Sequence, residues 1–192
     1  MSFTADNVSG GPALLKFSKD GQYLKRGSEE AYNDQAFIAK VHEARAGYLK
    51  FNGGDDPPER RMGSIFPVDA APARASLGDT DESQWKKGKF GIADPWTPCV
   101  EIPLVHKDTG EELVFTTQSK TGVGAALDFI AQAKRVPDRF LPVISLAVAA
   151  YKSKFGPQKK PALIIKGRVP VSASANGATV NETRPFDDPL QF

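Results

Sequence analysis

The stretch from Cys99 to Val169 leaves the fewest folds open. Residues 99–106 read as a strand and Asp108-Thr-Gly110 as a turn. Over 111–118, Leu113, Phe115 and Thr117 alternate against Val114 and Thr116, which makes the return strand of a hairpin. The chain then enters a helix over 122–135. Val123, Leu127, Ile130 and Ala131 are expected on its apolar face, and Pro137 stops it. Residues 141–151 predict a buried strand, Lys152 to Lys160 a basic loop, and Ala162 to Val169 a last strand.

Upstream, the two-residue spacing of Phe37, Ala39 and Val41 predicts one long bent strand over 36–51, with Gly47 at the bend. A helix over 34–46 is the rival reading. Residues 1–35 read as an irregular arm with a short strand at 13–17. Residues 52–98 form a long insertion rich in Gly, Pro and Asp that carries both tryptophans, Trp85 and Trp96. The order is strand, long loop, strand, turn, strand, helix, strand, loop, strand. That order predicts a mainly β, five-stranded OB-fold barrel over 36–170, with its one helix between the third and fourth strands. The loops joining strands one–two and four–five then flank an oligonucleotide groove.

Charge is unevenly spread. Residues 1–119 carry 14 Lys/Arg and 18 Asp/Glu, whereas residues 120–170 carry 10 Lys/Arg and 2 Asp/Glu. A basic block of this kind suits a polyanion. A single cysteine, Cys99, allows no internal disulfide and no cysteine zinc site, which fits a reducing cytoplasm. No basic-then-apolar leader opens the chain and no apolar run reaches membrane-span length. His42 and His106 lack partners at metal-ligand spacing, and Cys99 reads as core. Asp79, Asp81 and Glu82 form either a solvated loop or a nuclease-like metal site. The expectation is therefore a non-enzymatic binding protein with no cofactor and no resident metal.

Three groups of residues are candidates for binding. Trp85, Lys86, Lys87, Lys89, Phe90 and Trp96 interleave flat apolar faces with cations, as base stacking and phosphate neutralisation require. Packing of Trp96 into the barrel is the competing account for that residue. Lys152, Lys154, Lys159 and Lys160 surround Phe155, with Lys166 and Arg168 on the next strand; together they read as a basic finger along one channel. Tyr48 is a further stacking candidate. Lys120 opens Ser119-Lys-Thr-Gly-Val-Gly124, a glycine-containing helix entry that attracts anions without matching a phosphate-loop spacing.

Residues 171–181 read as a flexible linker to an acidic-aromatic tip, 182–192. In that tip Phe186, Asp187, Asp188, Leu190 and Phe192 suit a partner with a basic residue over an apolar pocket. The tip resembles the C-terminal tips of bacterial and phage single-stranded-DNA-binding proteins. Asp79-Thr-Asp-Glu-Ser-Gln-Trp85, Asp94-Pro-Trp96, Ile102-Pro-Leu104, Phe115-Thr-Thr-Gln-Ser-Lys120, Pro142-Val-Ile-Ser-Leu146 and Tyr151 resemble a family of small phage and prophage proteins. These are similar to single-stranded-DNA-binding components of replication and recombination modules. The resemblance covers residues 40–170 and implies single-stranded DNA and replication or recombination proteins as partners, in a bacterial host cytoplasm, with a homo-oligomer as one assembly. A protein-binding or inhibitor module and a metal-dependent nuclease are the rival readings.

Overall fold

A computed structural model describes residues 12–52, 56–88, 91–154 and 156–171. The fold is mainly β with one α-helix, and its main mixed sheet curls into a half-barrel compatible with an OB-like fold. The spine is the long strand β8 (Trp96–His106). One edge of β8 is shared in series by β4 (Arg45–Lys50) and β3 (Ala36–Ala39), and the other edge pairs with β9 (Glu112–Thr117). The 99–118 hairpin is therefore present, with Gly110 supplying the positive φ that its turn needs. Beyond β9 lie β1 (Ala13–Phe17), in parallel, and β2 (Tyr23–Lys25). Beyond β3 lie β10 (Phe140–Ser153) and β11 (Gly156–Pro170).

Among the described residues the main sheet has nine strands rather than five, for three reasons visible in the packing. The segment expected to be an irregular arm is part of the body, because Leu15, Tyr23 and Tyr32 are buried in the core. The expected single strand over 36–51 is two strands, and the break falls at a 3-10 turn, Val41–Glu43, rather than at Gly47. Gly47 instead sits where β4 is squeezed: a Cβ there would stand 1.9 Å from the Arg61 carbonyl oxygen. The long insertion is also less irregular than its composition suggests. It holds β5 (Glu59–Ser64), paired with β4, and a small two-stranded sheet of β6 (Lys87–Gly88) and β7 (Gly91–Ile92).

Helix α1 (Lys120–Ala133) starts two residues earlier than expected. The Ser119 side chain caps it by accepting the Gly122 N–H at 3.0 Å. Its buried face is Gly122, Ala126, Phe129, Ile130 and Ala133, while Leu127 and Ala131 face out. Small residues on that face let the helix lie close on β11 and β8, with Phe129 as the anchor. The core joins this face to Phe37, Ile102, Leu104, Phe115, Ile144 and Leu146, each worth about 1.5–3 kcal/mol when buried.

Tyr23 ties the two ends of the curled sheet together. Its hydroxyl donates to the Ala147 carbonyl at 2.8 Å and accepts the Ala162 N–H at 2.9 Å, at the Ala147↔Ala162 pair of the β10–β11 ladder. Burial pushes this phenol well above its ordinary range. Past this point β10 and β11 continue as a two-stranded ribbon as far as the Ser153↔Gly156 pair. The expected basic loop 152–160 is therefore mostly strand. Among the described residues, no helix is long and apolar enough to cross a membrane.

Candidate functional site

A groove of about 730 Å3 lies where β4 ends and β8 begins. Lys50 and Phe51 reach it from the end of β4, and Thr97 from β8. Asp79, Asp81, Trp85, Lys86 and Lys87 reach it from the insertion. A set of hydrogen bonds holds this loop rigid. Arg74 forks onto Asp94, with Nε at 2.7 Å and Nη2 at 2.8 Å, and also donates to the Gly78 and Asp79 carbonyls. Asp79 accepts from Lys50 Nζ at 2.8 Å and from Trp96 Nε1 at 2.9 Å. Trp85 Nε1 donates to the Asp79 carbonyl at 2.8 Å, and Asp81 accepts from Ser83.

These contacts decide the electrostatics. The Lys50 ammonium and the Trp96 indole hold the Asp79 carboxyl below the usual range, and the Arg74 fork does the same for Asp94. All three aspartates of the groove are thus turned into the scaffold. Lys86 and Lys87 are exposed and have no ion-pair partner among the described residues. Phe51 is 56% exposed, far more than a benzyl group buried in a core. Trp85 is half-buried, with the Arg74 guanidinium 5.8 Å from its ring centroid. An accessible phenyl ring, an indole face and two outward lysines therefore converge on one rigid wall.

Trp96 does not join them. It is 3% exposed, its indole N–H is spent on Asp79, and it staples the loop rather than offering a stacking face. Tyr48 is half-buried between Arg61 and Pro98 and does not line the groove. Lys89 and Phe90 lie outside the described residues, as do Phe155 and the tip residues Phe186, Asp187, Asp188, Leu190 and Phe192. Sequence reading missed Lys50 and Phe51 as site residues. It also missed the Arg74–Asp94 clamp, for which Asp94-Pro-Trp96 was the available signal: Asp94 Oδ1 accepts the Trp96 N–H at 2.8 Å, an Asx turn.

The carboxy-terminal cations are not collected into one channel. Cross-strand pairing puts Lys152 opposite Pro157 and Lys159 opposite Ala150, on the ribbon face that also carries Val148. Lys160, opposite Ala149, falls on the other face. Lys159 already donates to the Asp20 carbonyl at 2.9 Å. Lys166 occupies a bulge in β11, and Arg168 lies 4.8 Å from the Phe140 ring centroid. Lys154 sits at the ribbon turn, and Lys120 is the exposed first residue of α1. In the strand direction, the ribbon tip and the groove run off opposite ends of the sheet, since β10 continues beyond the His106 end of β8 while the groove sits at its Trp96 end.

Cys99 is buried and its thiol is pushed up by burial, so it is a core residue. Among the described residues no three His, Cys, Asp or Glu side chains come together to hold a metal. Compared with family models, with curated proteins and with solved structures, the chain matches none.

Proposed function

We propose that this protein binds single-stranded DNA without sequence preference, through the groove at the junction of β4 and β8. The observation that carries the reading is the meeting of accessible Phe51 and Trp85 with Lys86 and Lys87 on a loop already fixed by Arg74, Asp79 and Asp94. Stacking on such faces contributes about 1–3 kcal/mol per base and tolerates any base. In this reading β3–β4, β8, β9, β10 and β11 fill the five strand positions of an OB barrel, with α1 between the third and fourth. The groove is then the loop between strands one and two. The acidic-aromatic tip, 182–192, recruits replication or recombination proteins.

Gel retardation of labelled oligo-dT at low salt tests this. The full chain is expected to retard the oligonucleotide, and the double variant Phe51→Ala, Trp85→Ala to lose at least tenfold in affinity while keeping its fold. No retardation by the full chain at low salt overturns the reading and favours a protein partner for these surfaces. Loss of oligonucleotide that depends on added magnesium would instead favour a nuclease.

A further inference from the structure

Strands β10 and β11 and the residues beside them carry no acid: residues 139–171 hold no Asp or Glu. Two of their cations meet at one ring. The Arg139 guanidinium lies 5.2 Å and the Arg168 guanidinium 4.8 Å from the Phe140 ring centroid. Phe140 stands opposite Pro170 and Arg168 opposite Pro142, which puts Phe140 and Arg168 on the same side of the β10–β11 ladder. The Val171 N–H donates to the Arg139 carbonyl at 3.0 Å and closes that end of the ladder.

Both arginines are exposed, and among the described residues neither guanidinium takes part in an ion pair or a hydrogen bond. Asp138 is next to Arg139 in the chain and pairs with neither. An aromatic ring attracts a cation, but two cations at one ring repel each other. Lys134 and Arg135, exposed just before, suit the C-terminus of α1. The arginine pair has no such neighbour. Arg74 is the contrast, because its fork is spent on Asp94. Two guanidiniums held together with their donors free form an arrangement that an anion completes.

The position of the pair names the anion. β10 and β8 are each antiparallel to β3, so they run in the same direction. Val143 stands level with Val105 through Ile38. Phe140 therefore lies toward the Trp96 end of β8, where the groove is. At about 3.3 Å per residue and about 4.8 Å per strand, the arginine pair is about 20 Å from Thr97.

We propose that Arg139 and Arg168 hold the phosphate backbone of a single strand whose bases stack in the groove. This contact presupposes binding in the groove, and only a longer strand reaches it.

Fluorescence anisotropy with oligo-dT of about four and about sixteen nucleotides, the ends of the range that one OB-fold covers, tests the proposal. The wild type is expected to bind both. The double variant Arg139→Gln, Arg168→Gln should bind the longer strand roughly tenfold more weakly, with the slope of log affinity against log salt reduced by about 1.4. It should bind the shorter strand as the wild type does. Arg139→Lys with Arg168→Lys keeps both charges and should keep the slope, which a packing role for the guanidiniums does not require. Binding of neither length by the wild type removes the groove reading, and this contact with it. Binding of both lengths with no change in the Gln variant, or an equal loss at both lengths, overturns this proposal alone.

Discussion

The groove and the ribbon tip are built from the same residue types and differ in what their neighbours do with them. At the groove, hydrogen bonds from Arg74, Asp79 and Asp94 consume the carboxylates and leave an indole, a phenyl ring and two lysines on one wall. At the ribbon, strand alternation sends Lys152 and Lys160 to opposite faces, and Lys159 is already held by a carbonyl. The ribbon is the more basic segment of the sequence, and the groove is the better candidate site. Charge density along a chain becomes a binding surface only when the backbone brings the charges to one side.

The largest expected effect breaks the comparison directly. Trp85→Ala should lower oligo-dT affinity by about 1–3 kcal/mol, or about 5- to 150-fold, with little change in Tm. The double change Lys152→Gln, Lys160→Gln should cost well under that in the same fluorescence-anisotropy assay. Tyr23→Phe comes next. It removes the hydroxyl that ties the ribbon root to β2 and should cost about 1–3 kcal/mol of stability in denaturant melts. Hydrogen exchange should then rise in the ribbon before it rises at the groove.

Salt dependence sharpens the contrast further. Lys86→Gln with Lys87→Gln should reduce the slope of log affinity against log salt by about 1.4, since each single-strand phosphate contact contributes about 0.7. The paired ribbon change should reduce it by less. The smallest effect is the response to acid. Asp79 and Asp94 have lowered pKa values, so their contribution is present above the ordinary carboxylate range, about pH 4, and is lost as pH falls through their folded values. Tryptophan emission should therefore shift below about pH 4 while far-UV circular dichroism still reports a folded sheet. Asp94→Asn should move that shift to higher pH.

Periodicity alone read the local elements well. The 99–118 hairpin lies where alternation put it, whereas the helix begins two residues early and the last two strands run on through the expected basic loop. What sequence could not carry was long-range closure. Nothing local shows that Leu15 would pair beside Phe115, or that Tyr23 would reach Ala147 and Ala162 across the curl. The helix face was misjudged because Gly122, Ala126 and Ala133 score as small rather than apolar, yet close packing on β11 wants small residues. At the site, Trp85 and its neighbouring lysines were legible as a cluster. Phe51 was not, because a phenylalanine near a strand end reads as core until the strand is seen to stop at Lys50. Trp96 was the converse: an aromatic beside Asp and Pro looked available, and its indole N–H proved to hold the loop.

Tryptophan fluorescence during titration with oligo-dT tests the central claim most directly, because Trp85 lines the groove and Trp96 is buried behind it. Saturable quenching in the wild type, abolished in Trp85→Phe although that variant still binds by anisotropy, is the predicted result. Unchanged emission in the wild type at low salt, or quenching that persists in Trp85→Phe, contradicts base stacking in this groove.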